Sequence, residues 1–288
     1  MGKTAIVAPI LATALQQGAK PVLGVRSEFC NQKLVFYIDT EQTESRTKKF
    51  RERVLRLAGF QKDCEYLETV NLLEYNQAQR VEVLKDVFED VGDGLFMIII
   101  DGLTDLLSGG VNDEAGSNDI IQLLMKEAGR TGATVIPIIH ENRGSNAARG
   151  HIGAEAERKC AGMLSIKKDQ DRGIHEIRSK LMRYGADFQP ILFRWDDIEK
   201  DFVELSPDET AAAVSVDKEA LKAEKLEKGV KQAFATNTEL SKAHTIQNLL
   251  LYCDSKGKST KTGERLLKEA VAAGLLEMKD KDTVKRNF

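Results

Sequence analysis

The sequence predicts an α/β protein, a parallel sheet flanked by helices and followed by a small helical domain. Three observations predict it. From Leu34 to Ile139, short β-branched apolar runs alternate with amphipathic helical segments, the pattern of strands joined by crossover helices. Those runs end in the polar residues Asp39, Asp101 and His140. Past residue 160 the alternation gives way to short strands with turns, and past 206 to a stretch rich in Ala, Lys and Glu.

The elements follow in order. Between Lys3 and Gly18 the apolar pairs Ile6/Val7, Ile10/Leu11 and Ala14/Leu15 recur at a helical period. Pro9 removes one backbone bond and should kink that helix near its start. Leu34 to Ile38 reads as a strand that delivers Asp39, Thr40 and Glu41 at its end. Thr47 to Ala58 reads as a helix with Lys and Arg on its wet face, and Val81 to Phe88 repeats the pattern. Phe96 to Ile100 follows the turn residues Gly92, Asp93 and Gly94 and reads as a buried strand closed by Asp101. Ile120 to Gly129 is a helix, and Thr134 to Ile139 a strand ending at His140. Gly162–Lys167, Ile174–Lys180, Pro190–Arg194 and Asp201–Leu205 read as an antiparallel meander on one side of the sheet. Residues 206–238 read as a charged, solvated helical linker. In 239–288, Thr245–Cys253 and a segment capped by Ser259 read as two helices, with Leu266, Leu267, Ala270, Val271 and Leu275 as the apolar face of the second. Gly274 to Lys279 suggests a strand, and Asp280-Lys281-Asp282 a wing tip. The expected domains are therefore 1–205, the linker 206–238, and a winged-helix-like domain at 239–288.

Composition sets limits. The chain has 288 residues, more than one average domain needs, and 42% hydrophobic content supports a core. No apolar run approaches the roughly 20 residues of a membrane span, and no signal-peptide cleavage pattern follows the N-terminus. Cys30, Cys64, Cys160 and Cys253 lie far apart without metal-ligand spacing, as for reduced thiols in a cytoplasmic protein. A net charge of −3 argues against a generally basic nucleic-acid binder, so such contacts would need local patches. Residues 239–288 offer one, with ten Lys/Arg against seven Asp/Glu.

Gly2-Lys3-Thr4 leading into a helix is the second half of the phosphate loop G-x-x-x-x-G-K-[ST]. There the glycine lets backbone approach phosphate, the lysine reaches the β and γ phosphates, and the hydroxyl binds Mg²⁺. The tripeptide alone is a weak signal, and its context strengthens it. Asp101 closes an apolar strand, where an acid holds the Mg²⁺ shell; otherwise it is a turn or capping acid. Glu41 is placed to act as general base on an attacking water, or else is a surface acid.

Together, Gly2-Lys3-Thr4, Asp39-Thr40-Glu41-Gln42, Ile98–Asp101 and Val135–His140 resemble the RecA-like P-loop ATPases. The likeness is to the RepA-type hexameric replicative helicases and their relatives on plasmids and mobilizable elements, and it covers residues 1–205. It implies ATP and Mg²⁺ as ligands, Glu41 as the catalytic glutamate, Asp101 as the magnesium-side aspartate and His140 as the γ-phosphate sensor. The stretch Glu141–Gly150 resembles the loop with which such motors hold single-stranded DNA, with Arg143 and Arg149 on the phosphates. Lys180 and Arg183 match the lysine and arginine that reach a neighbouring subunit's γ-phosphate, so the resemblance implies a ring or other homo-oligomer. Lys180 stands one residue further from the arginine than the pattern asks. Replication or mobilisation proteins are expected partners of the C-terminal domain. The sequence departs from the family in that the loop's first glycine and the strand before it do not precede Gly2. The expected explanation is a longer parent protein, to which activity is assigned. A recombination or repair ATPase of the same fold, or a non-catalytic DNA-binding adaptor, are the competing readings.

Overall fold

The computed structural model describes residues 3–18, 20–142, 147–253 and 258–288, without the side chains of Lys3, Asp217 and Lys218. Among these residues the chain forms two compact units, Met1–Leu205 and Ser206–Phe288.

The first unit is built on four parallel strands: β1 (Leu34–Asp39), β2 (Leu67–Asn71), β3 (Leu95–Asp101) and β4 (Thr134–Ile138), in the spatial order β2-β1-β3-β4. Strand alternation between two covered faces explains why the inner strands β1 and β3 are apolar almost throughout. Phe36 and Ile38, with Ile98 and Ile100, point into one core, and Val35 and Tyr37, with Met97 and Ile99, into another. Helices α3 (Gln77–Val91) and α4 (Glu114–Thr131) cover the first face through Leu84, Phe88 and Leu124. Helices α1 (Lys3–Leu15) and α2 (Glu44–Leu57) cover the second through Leu11, Phe50 and Val54. Pro9 does not interrupt α1; the carbonyl its missing N–H leaves free is that of Ala5, which accepts Arg53 Nη2 at 3.2 Å, and the Thr13 hydroxyl donates to the Pro9 carbonyl at 3.0 Å.

Helix α5 (Gly150–Lys159) then leads to β5 (Gly162–Lys168), β6 (Ile174–Met182), β7 (Ile191–Asp196) and β8 (Asp201–Glu204). These pair antiparallel in chain order as expected, but as a sheet of their own, and β4 is an edge strand among the described residues. Their inner face is aromatic: His175 stacks on Phe193 with ring centres 5.1 Å apart and meets Phe202 edge-on.

The second unit comprises α6 (Pro207–Ala233), β9 (Glu239–Ser241), α7 (Lys242–Tyr252), α8 (Thr260–Ala272), β10 (Leu276–Met278) and β11 (Thr283–Arg286). Its sheet has the order β10-β11-β9, all antiparallel. Ser206 and Glu209 close a capping box at the start of α6. The reading of 206–238 as a solvated linker needs correction. Leu226, Val230 and Ala233 lie one helical face apart, and with Phe234 they form the core against Ile246, Leu249, Leu266, Leu267, Leu276 and Val284. Ser259 holds the cap position of α8, but its side chain makes no capping hydrogen bond. Among the described residues no helix is long and apolar enough to cross a membrane.

Candidate active site

Parallel pairing brings the C-terminal ends of β1, β3 and β4 to one edge. The register sets Asp39 opposite Asp101 and Asp101 opposite Ile138, so the acid of β3 lies between its neighbours' ends. Asp39 is fully buried. One of its oxygens accepts the backbone N–H groups of Glu41 and Gln42, each at 3.0 Å, and the other accepts the Thr47 hydroxyl at 2.9 Å. This turns the chain out of the strand, projects Glu41 and starts α2. The buried Tyr37 hydroxyl donates to Asp101 Oδ2 at 2.9 Å. Burial first, then the Asp101 charge, raises the Tyr37 phenol far above its ordinary pKa and keeps it a donor.

Two residues that sequence reading passed over hold this edge together. Gly102 has φ +101°, and a Cβ there would lie 2.0 Å from the Thr40 hydroxyl and 3.1 Å from Glu41 Cγ, so no side chain fits. Arg80 is buried on the inner face of α3. Its guanidinium donates to the carbonyls of Leu72, Leu73 and Asp105 at 3.0 to 3.1 Å, and reaches that of Thr40 at 3.5 Å. It ties together the segments leaving β1, β2 and β3. Its signal in the sequence was its spacing with Leu84 and Phe88, which makes a cation part of an apolar stripe.

Glu41 and His140 meet across the end of β3, with His140 Nε2 3.3 Å from Glu41 Oε1. The His140 carbonyl also accepts the N–H of Arg149 at 2.9 Å. Next to it Glu141 bridges Ala148, and Asn142 N–H donates to the Ala147 carbonyl at 2.9 Å. The loop that begins after His140 is thus fastened to that residue at its base, and Arg149 occupies the N-cap of α5. Arg143 lies outside the described residues, as do Gly2 and the side chain of Lys3.

Thr4 stands in the first turn of α1 and lines a cavity of about 300 Å³ with Gln42, Arg46, Lys49, Arg53, Trp195 and Phe202. Arg53 is held there by the carbonyls of Thr4 and Ala5 and by buried Asp201, which also pairs with Arg56. Burial pushes the Asp201 carboxyl up, but its bonds to Arg53 and Arg56 outweigh this and leave it below the ordinary carboxylate value. Since Arg53 is paired with Asp201, Arg46 and Lys49 are the cations this cavity offers a ligand, beside the half-exposed indole of Trp195. Among the described residues no three His, Cys, Asp or Glu side chains could enclose a metal. Asp101 and the Thr4 hydroxyl would have to share an ion with phosphate oxygens and water, which is how Mg²⁺ is usually held.

Lys180 and Arg183 do not join this group within the chain. Lys180 Nζ lies 3.0 Å from Glu157, and Arg183 donates to the carbonyls of Cys160 and Arg158 at 2.8 Å and of Glu157 at 3.3 Å. Both side chains close the C-terminal end of α5.

The AAA domain family matches residues 1–146, just over half of the 288. The chain belongs to the AAA domain family. The matched part of this AAA domain holds Thr4, Glu41, Asp101 and His140 and the whole of its parallel four-stranded sheet. Lys180 and Arg183 lie beyond the match. A crystal structure of the RadB recombinase is similar to the AAA protein over 61% of this chain and 80% of that one, with 16% identity and a TM-score of 0.42. No curated protein matches.

Proposed function

We propose that the chain is the core of an ATP-driven motor, a helicase, translocase or helicase loader, that works on single-stranded DNA. The resemblance to RepA-type helicases supports a setting in replication or mobilisation of a plasmid or transposable element. The observation that carries the reading is the contact of Glu41 with His140 over Asp101, next to a loop fastened to the His140 carbonyl. Glu41 would take a proton from the water that attacks the γ-phosphate, and Asp101, oriented by the Tyr37 hydroxyl, would hold Mg²⁺. Mg²⁺ supplies charge neutralisation on the phosphate oxygens when bound. His140 touches the base on one side and the loop on the other, so the presence of a γ-phosphate is passed to Arg149 and Arg143. Arg183 and Lys180, at the end of α5, serve an adjacent subunit in a homo-oligomer.

The test measures nucleotide binding and hydrolysis, with and without single-stranded DNA. Glu41→Gln should bind ATP normally and lose about 10²-fold or more of its turnover, in the range of a positioned general base. His140→Ala should retain DNA affinity without nucleotide but lose the stimulation of hydrolysis by single-stranded DNA. Equal turnover in wild type and Glu41→Gln would sink the assignment.

A further inference from the structure

Glu41 leaves the sheet directly after Thr40, and Thr40 is buried with all of its polar atoms engaged. Its N–H donates to the Asp101 carbonyl at 3.2 Å, and its own carbonyl lies 3.5 Å from the Arg80 guanidinium. Its hydroxyl oxygen stands 2.9 Å from the Asp101 carbonyl and 2.9 Å from Asp105 Oδ2, with the Gly102 carbonyl at 3.4 Å. A hydroxyl has one proton to donate, so these three acceptors compete for it. The carboxylate has the advantage, because a charged acceptor makes a hydrogen bond roughly twice as strong.

Asp105 reaches this point from the short 3-10 turn Leu103–Leu106 that follows β3. Its N–H donates to the Gly102 carbonyl at 2.9 Å, and its carbonyl accepts Arg80 at 3.1 Å. Its carboxylate meets the same guanidinium only at 3.9 Å, so the hydroxyl of Thr40 is its nearer partner. Gly102 shows how closely the side chains gather. The point where its Cβ would stand is 2.0 Å from the Thr40 hydroxyl, 3.1 Å from Asp105 Oδ2 and 3.1 Å from Glu41 Cγ. The side chains of Asp105, Thr40 and Glu41 thus border one gap, which the missing Cβ leaves open.

We propose that Asp105 and Thr40 are positioning residues for the general base, a role that rests on Glu41 being that base. The Asp105 carboxylate holds the Thr40 hydroxyl, and Thr40 fixes the peptide from which Glu41 projects. Asp39 holds the same turn from its other side, through the N–H groups of Glu41 and Gln42. With both sides held, the Glu41 carboxylate keeps one direction, toward His140 Nε2 at 3.3 Å. When Asp105 is removed, the Thr40 hydroxyl turns to the Asp101 carbonyl, and the turn after β1 loses its side-chain tie to the turn after β3. A shift of about 1 Å in a reacting group can cost about 100-fold in rate. Neither Asp105 nor Thr40 has to touch nucleotide for this, so the loss falls on kcat and not on KM.

The experiment is steady-state ATP hydrolysis by the full chain, run below the lowest melting temperature of the set. Asp105→Ala and Thr40→Val should each lower kcat about 10-fold or more and leave KM within about 2-fold. Asp105→Asn, whose amide still bonds the hydroxyl, and Thr40→Ser, which keeps it, should stay within about 3-fold of wild type. The double variant Asp105→Ala/Thr40→Val should be no slower than the slower single one, as for two residues that act as a unit. A wild-type kcat in Asp105→Ala would overturn the proposal. So would losses that multiply in the double variant. Asp105→Asn as slow as Asp105→Ala would overturn it too, because the charge facing Arg80 would then matter and not the bond to Thr40. Glu41→Gln is measured beside them. Full turnover in Glu41→Gln removes the base itself, whereas an inactive Glu41→Gln with a fully active Asp105→Ala removes only the positioning role.

Discussion

At the scale of single residues, the chain uses buried charge to fix backbone. Asp39, Arg80 and Asp201 are all buried, and each binds main-chain groups or opposite charges where segments meet. Asp201 is the most exacting of them, with only 7% of its side chain exposed and two arginines converging on it. Asp201→Asn should lower stability by about 3 kcal/mol, because breaking a buried pair leaves the remaining charge uncompensated. The pH dependence follows from the same carboxyl. Its folded pKa is depressed, so its contribution is fully present above the unfolded value of 3.8 and is lost as pH falls through the folded one. Urea denaturation of both proteins at neutral and strongly acidic pH checks this, and the gap between them should close in acid. Asp39 and Asp101 could be seen in the sequence because strands end in them. For Arg80 the spacing with Leu84 and Phe88 marks a buried cation, but nothing local shows which carbonyls its guanidinium will find.

At the scale of elements, periodicity located β1, β3, β4 and the meander to within a few residues, because each is a run of apolar or alternating residues. It missed β2, α5 and β9. β2 reads Leu-Glu-Thr-Val-Asn and buries only its first residue fully, since it lies at the sheet's edge. α5 packs through Ile152, Gly153 and Ala156, two of them too small to register as an apolar face. β9 spans three residues and exists only through β11. One element makes a claim of its own. In β6, His175 is nearly fully buried between aromatic rings, and its Nδ1 has no hydrogen-bond partner among the described residues. Burial, then the charge of Lys168, lowers its pKa from 6.5. The unfolded chain therefore takes up a proton that the folded one refuses. Stability should fall as pH drops below 6.5 and level off once the folded histidine also protonates. His175→Phe should weaken that dependence, which melting temperatures at mildly alkaline and mildly acid pH would reveal. An unchanged slope would mean that another group titrates.

At the scale of the molecule, the chain forms two units, each with a core of its own. The proposed assembly can be checked on this scale. Arg183→Ala and Lys3→Ala subunits should each be inactive in hydrolysis. Mixed, they should recover part of the activity, because one interface in the mixture can combine an intact phosphate loop with an intact arginine. If Arg183 served only to cap α5, no mixture would exceed its components. The backbone bond between His140 and Arg149 has a further consequence. That bond, with the one from the Asn142 N–H to the Ala147 carbonyl, brings the two ends of the segment together and so closes a ring of backbone. The entropy of closing such a ring grows only with the logarithm of its length, by about 0.6 kcal/mol for each doubling. Residues added between these two bonds would therefore cost little, and β3 and β4 would keep their register.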